Sequence, residues 1–123
     1  MVLVDTSVWV DHLRRGDHRL EALLNAGSVF IHPFIVGELA CGNLRNRSTT
    51  LSLLRQLPET RKASHEEVLL FIENKMLMGR GIGYVDAHVL AATALTESAW
   101  LWTRDKQLGG LAAELGYDFN TKV

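Results

Sequence analysis

Apolar residues along the chain fall into short runs and helical periods separated by polar breaks. Val2-Leu3-Val4 is a run too brief for a helix and is ended by Asp5-Thr6-Ser7, so it reads as a buried strand leading into helix-start residues. A short helix over residues 8–13 is expected to end near Gly16. Residues 17–25 carry Leu20, Leu23 and Leu24 at helical spacing and stop at Gly27, which predicts a second helix. Residues 28–31 are rich in strand formers and closed by His32-Pro33, which predicts a second strand. Helical periodicity resumes over residues 34–44, over 50–57 before Pro58, and over 65–78. Gly79-Arg80-Gly81-Ile82-Gly83 must be a loop. An alanine-rich helix follows over residues 85–96, its small side chains suited to close packing. Trp100-Leu101-Trp102 reads as a strand, residues 103–105 as a turn, residues 106–115 as the last helix before Gly116, and residues 117–119 as a final short strand.

Strands that alternate with helices imply right-handed crossovers and an α/β domain, with a central parallel sheet of about four to five short strands flanked by helices. One such domain is expected to span residues 1–123, since no repeat, linker or low-complexity segment divides the chain. With 47% hydrophobic and 22% charged residues the composition is globular. The formal net charge of −1 gives no whole-chain attraction to nucleic acid, so any such contact must rest on basic residues gathered locally. A single cysteine, Cys41, excludes an internal disulfide and fits a reducing compartment. No signal-like start or membrane-length apolar run is present, and the expected location is the cytoplasm, with no membrane association.

In parallel sheets ligands gather beyond the carboxyl ends of the strands. Two of the predicted strands end there in acids: Val2-Leu3-Val4 runs into Asp5, and Trp100-Leu101-Trp102 into Thr103 and Asp105. Asp86 opens a helix just after the glycine-rich loop, and Glu38 lies on a helix between apolar residues. Each has a plain structural explanation. Asp5, Asp86 and Asp105 sit where a carboxylate caps a helix, and Glu38 fits a solvated face. Taken together they suggest more, because clustered carboxylates repel and are tolerated when a divalent cation sits among them. All-oxygen ligation suits Mg²⁺ or Mn²⁺. The five histidines show no zinc spacing, and no nucleophile-elbow, P-loop or dinucleotide motif is present.

At these residues the sequence resembles a known family. Val2-Leu3-Val4-Asp5-Thr6-Ser7-Val8-Trp9-Val10-Asp11 is similar to the first strand and turn of VapC toxins, which are PIN-domain ribonucleases. Gly37-Glu38-Leu39 resembles the family's glutamate-bearing helix, Val85-Asp86-Ala87-His88 its third acidic motif, and Leu101-Trp102-Thr103-Arg104-Asp105-Lys106 its fourth. The likeness spans nearly the whole chain in the family's order. It implies a PIN-like fold, Mg²⁺-dependent endoribonuclease activity with Mn²⁺ as a substitute, homodimers, and neutralisation by a VapB-type antitoxin. The family's acids fall on Asp5, Glu38, Asp86 and Asp105, with every residue type intact. Asp5 and Asp86 are assigned as direct metal ligands, and Asp105 either completes that site or begins a second. Glu38 ligates directly, holds a metal-bound water, or orients the attacking water. Thr6 and Thr103 either hydrogen-bond the carboxylates or cap helices and turns.

Arg14, Arg15, Arg45, Arg47, Arg80 and Arg104 are candidates for phosphate contacts, each weighed against a solvated surface role. Arg80, in the loop expected beside Asp86, and Lys106, next to Asp105, stand nearest the predicted site. Trp9, Trp100 and Trp102 favour core packing over base stacking, His88 is expected to be structural, and Phe34, Leu51, Leu54, Phe71 and Met76 are expected in the core. Two rival readings fit poorly. A phospho-receiver needs an acid pair at the first strand where Val4 precedes Asp5, and a haloacid-dehalogenase phosphatase needs a second Asp where Ser7 stands. A structure-specific DNA nuclease of similar fold stays open as an alternative, although such chains usually carry added helical elements that this length excludes.

Overall fold

A computed structural model of the chain describes residues 1–121. β1 (Val2–Val4) is the middle strand of a parallel sheet, with β2 (Val29–Phe30) on one side and β3 (Trp100–Trp102) on the other. Leu3 is paired with Phe30 and with Leu101. Single parallel bridges, Ile31 with Glu59 and Leu101 with Asp118, continue the sheet outward on both sides. The helices are α1 (Thr6–Arg15), α2 (His18–Asn25), α3 (Pro33–Ala40), α4 (Arg47–Arg55), α5 (His65–Lys75), α6 (Tyr84–Leu95) and α7 (Lys106–Leu115), with a 3₁₀ turn at Phe119–Thr121. Val2, Leu3 and Val4 are all buried. A strand covered on both faces has no outward position to leave polar, which is why β1 reads as an unbroken apolar run instead of an alternating one.

Local chemistry accounts for the element ends, including those that depart from the periodicity. Asp17 accepts from the Leu20 amide at 2.9 Å and starts α2. Ser64 and Glu67 form a reciprocal capping box at the start of α5. The helix expected over residues 34–44 stops at Ala40, because the Arg47 guanidinium donates to the carbonyls of Ala40 and Gly42. A side chain from the next helix thus satisfies carbonyls that another turn would otherwise have bonded. The helix expected over 65–78 stops at Lys75, where Met76 adopts a left-handed backbone with φ 54°. The segment expected as a last strand is paired with β3 only through Asp118 before the 3₁₀ turn begins.

Trp9 and Trp102 are buried, as is Leu54, while Leu51 and Phe71 are half-buried against the same core. Two residues expected in the core are not there: Phe34 is 41% exposed and Met76 70%. Periodicity put both on amphipathic helices, but each stands at a helix end, where the apolar stripe has run past the sheet it covers. α6 buries Ala87, Ala91 and Ala92, and a small-residue cluster with Ala63 and Val68 lets α5 lie close against it. His32 is buried and caps α3, its Nδ1 accepting from the Phe34 amide at 3.0 Å. That acceptor role leaves the proton on Nε2. Burial, reinforced by nearby His88, lowers the His32 pKa to about 4, so the ring is neutral at physiological pH.

Candidate active site

β1 delivers Asp5 at its carboxyl end, where the residue is the N-cap of α1. A helix-capping carboxylate accepts from an amide in the first turn. Asp5 makes no such bond. Its Oδ2 accepts instead from the hydroxyls of Thr103 at 2.8 Å and Ser7 at 3.0 Å, and the side chain is buried. Capping therefore does not explain Asp5. Its carboxylate is held by two hydroxyls and makes no ion pair with a described residue. Thr103 lies just beyond β3, and its Oγ1 also accepts from the Asp105 amide at 3.1 Å. One hydroxyl thus links the two strand ends on which the acids stand.

The other three acids come from separate helices. Glu38 is exposed on α3, and its Oε1 accepts from Thr6 Oγ1 at 2.6 Å. Asp105 is the N-cap of α7 and accepts from the Leu108 amide at 2.9 Å. Asp86, in the first turn of α6, accepts from the Gly83 amide at 3.4 Å. Capping is thus part of what Asp86 and Asp105 do. The electrostatics add what capping leaves out. The Asp86 pKa is raised first by burial, against the lowering effect of the Gly83 amide, and then by the charges of Asp5, Asp105 and Glu38. The charges of carboxylates on three other elements therefore reach Asp86.

In each of these acids one oxygen is engaged and the other carries no hydrogen bond to a described residue. That leaves an all-oxygen donor set, the chemistry of a hard divalent cation. Among the described residues no group of three or more acidic, histidine or cysteine side chains stands close enough together to hold a metal ion without rearrangement.

Around the acids the loop at residues 79–83 packs against α7. Gly81 has φ +83°, and a Cβ there would lie 2.9 Å from Gln107 Cγ, so both conformation and space call for glycine. Lys106 is exposed beside Asp105 and makes no ion pair with a described residue. Arg80 is paired at the surface with Glu114 at 2.6 Å. Arg104 is committed elsewhere: its guanidinium bridges Asp11 and Asp17 and lies over the Trp102 ring, tying α1 and α2 to β3. Arg47 is taken up by the α3 carbonyls. Arg14 and Arg45 instead line a cleft of about 490 Å³ that includes Glu38, with Val10, Leu13, Leu39 and Leu44.

Sequence alone does not single out Ser7. The signal was there, a hydroxyl two positions after the strand-ending Asp, but what it bonds depends on β3. Thr103→Val should lower cleavage activity by about 10- to 100-fold, the usual cost of losing a bond that orients a ligand. Thr103→Ser should retain most of the rate. Steady-state cleavage of a labelled RNA checks both, and an active Val variant would reduce Thr103 to a packing role.

Comparison with known proteins agrees with this architecture. Residues 2–114 match the PIN domain. Two relatives, each named Ribonuclease VapC32 and found in Mycobacterium tuberculosis strains CDC 1551 and H37Rv, are 46% identical to this chain over 116 residues, 94% of either length. The chain therefore belongs to the PIN-domain family, with VapC-type ribonucleases among its relatives.

Proposed function

We propose that this chain is a divalent-metal-dependent endoribonuclease acting as the toxin of a toxin–antitoxin pair. The observation that carries the reading is that Asp5, Glu38, Asp86 and Asp105 face one space, where burial first and then the charges of the other three make Asp86 harder to ionise. The name of its relatives, ribonuclease, agrees with it.

In this reading Asp5 and Asp86 hold Mg²⁺, with Mn²⁺ as a substitute, and Asp105 completes the site. When bound, such an ion supplies Lewis acidity toward the scissile phosphate and a water acidic enough to attack it. Asp5 presents its remaining oxygen in one direction, because Thr103 and Ser7 restrain the other. Glu38, restrained by Thr6 but solvent-facing, would orient the attacking water and accept its proton. Thr6 and Thr103 act by positioning these carboxylates. Arg14 and Arg45 supply the positive charge that a nearly neutral chain must concentrate locally, and Lys106 adds to it beside Asp105. Arg80 contributes by leaving Glu114, an exposed pair that costs little to break.

The same cleft presents Val10, Leu13, Leu39 and Leu44, an apolar surface for a VapB-type antitoxin that would exclude RNA as it binds. A homodimer belongs to the reading as well, with exposed Leu70 and Leu95 on the α5–α6 side available to a second copy. So does a cytoplasmic location. No helix among the described residues is long and apolar enough to cross a membrane. Growth is the test. Induced wild type should arrest bacteria, Asp5→Asn should not, and co-expression of the antitoxin should relieve the arrest. Equal toxicity from the two chains would mean that the arrest is not nucleolytic.

A further inference from the structure

Two exposed aromatic side chains flank one buried histidine beside the acids. Phe34 precedes Glu38 by one turn of α3, a spacing that sets side chains about 5–6 Å apart on one face. Tyr84 opens α6, in the same first turn as Asp86. Phe34 is 41% exposed and Tyr84 43%. Between them His88 is buried, its ring centroid 4.7 Å from that of Phe34 and 4.6 Å from that of Tyr84, with interplanar angles of 66° and 89°. The arrangement is anchored behind and to the side. His32 lies 6.4 Å from His88, and the Tyr84 hydroxyl is hydrogen-bonded to Nδ1 of His65.

A lone exposed aromatic needs no explanation. A pair seated on one buried ring, each on a helix that also supplies an acid, is a different matter. The acids repel the phosphates of any strand that approaches them. Positive charge in the cleft beside Glu38, and at Lys106 beside Asp105, offsets part of this. A second hold on the strand, indifferent to charge, would come from its bases, whose faces stack on aromatic rings whatever their identity. The rings here are large, flat, restrained on the inner side and open on the outer.

We propose that Phe34 and Tyr84 form a stacking platform for a base of single-stranded RNA next to the bond that is cut. The proposal rests on the ribonuclease reading above, but it is a statement about binding and can be tested without cleavage. The probe is a short single-stranded RNA carrying 2-aminopurine, titrated with the full-length protein in EDTA. Wild type should quench the fluorescence. Phe34→Leu/Tyr84→Leu should bind roughly tenfold more weakly and lose the quenching, as expected for one stacked base. Tyr84→Phe should keep both. The salt dependence of binding should be the same in all, since no phosphate contact is altered. An abasic site in place of 2-aminopurine should weaken the wild type and leave the double variant unchanged.

Equal quenching and affinity in wild type and double variant would overturn the platform. So would RNA binding that stays unchanged while the variant loses its antitoxin or shifts its oligomeric state, because the face would then belong to a protein partner. If the double variant loses its cooperative unfolding transition, the single Leu variants and the abasic comparison in wild type carry the test. Quenching by a wild type that cleaves no RNA with any divalent ion would sink the nuclease reading and leave the platform standing. Cleavage that is indifferent to an abasic site at every position would do the reverse.

Discussion

Replacing Asp5 or Asp86 by Asn should lower RNA cleavage roughly 100-fold or more, a loss of about 3 kcal/mol of transition-state stabilisation. The substitution is nearly isosteric, and at Asp5 the structure says what it leaves intact. An Asn oxygen turned toward Thr103 and Ser7 still accepts both hydroxyls, while the amide nitrogen takes the position of the oxygen offered to a cation. Chemistry should fail while the fold holds. Asp86 adds a signature in stability. An acid whose pKa rises on folding binds its proton more tightly in the folded state. Stability is therefore lost as the pH climbs from the ordinary value of 3.8 through the raised one. Asn carries no charge to repel, so at neutral pH the variant should melt no lower than wild type, and its advantage should vanish in acid. A cleavage assay paired with melting curves at several pH values checks both. An Asn variant that cuts at the wild-type rate would remove that residue from the site.

Chelation is the second large effect. Full-length protein stripped with EDTA should cleave RNA at background rate and recover with Mg²⁺ or Mn²⁺. The physical reason is the same repulsion: carboxylates from four elements, each with an oxygen to spare, make no ion pair with a described residue. Binding of the ion should therefore also be visible without substrate. Melting temperature should rise with Mg²⁺ concentration in wild type, as for any ligand of the folded state, and respond less in Asp86→Asn. Undiminished cleavage in chelator would exclude the mechanism. A melting temperature blind to Mg²⁺, with activity lost in EDTA, would move the ion from the free protein to the RNA complex.

Much of this protein is legible in one dimension, for identifiable reasons. The unbroken apolar run Val2-Leu3-Val4 marks a strand buried on both faces, and the following Asp5 is necessarily at its carboxyl end. Alternation of strands with helices leads to a parallel sheet, and the PIN domain was recognisable from motifs read in order. These are properties of sequence spacing, since a strand's direction and a helix's start are set within a few residues. Helix ends were less accessible. α3 ends where it does because Arg47 folds back on Ala40, a bond made by a residue beyond the helix.

What required the fold is whatever depends on two distant segments meeting. Asp5 looked as ready to cap a helix as to bind an ion, and the hydroxyl of Thr103, brought alongside by the pairing of β1 with β3, separates those roles. Arg104 looked as available to RNA as Arg14, until Asp11 and Asp17 closed around its guanidinium. Phe34 has the periodicity of a core residue and is left outside, next to Glu38 and against His88. Side-chain type and spacing prescribe what a residue is able to do. Which partner arrives first, and so what remains free for a ligand, follows from packing between segments that the chain order keeps far apart.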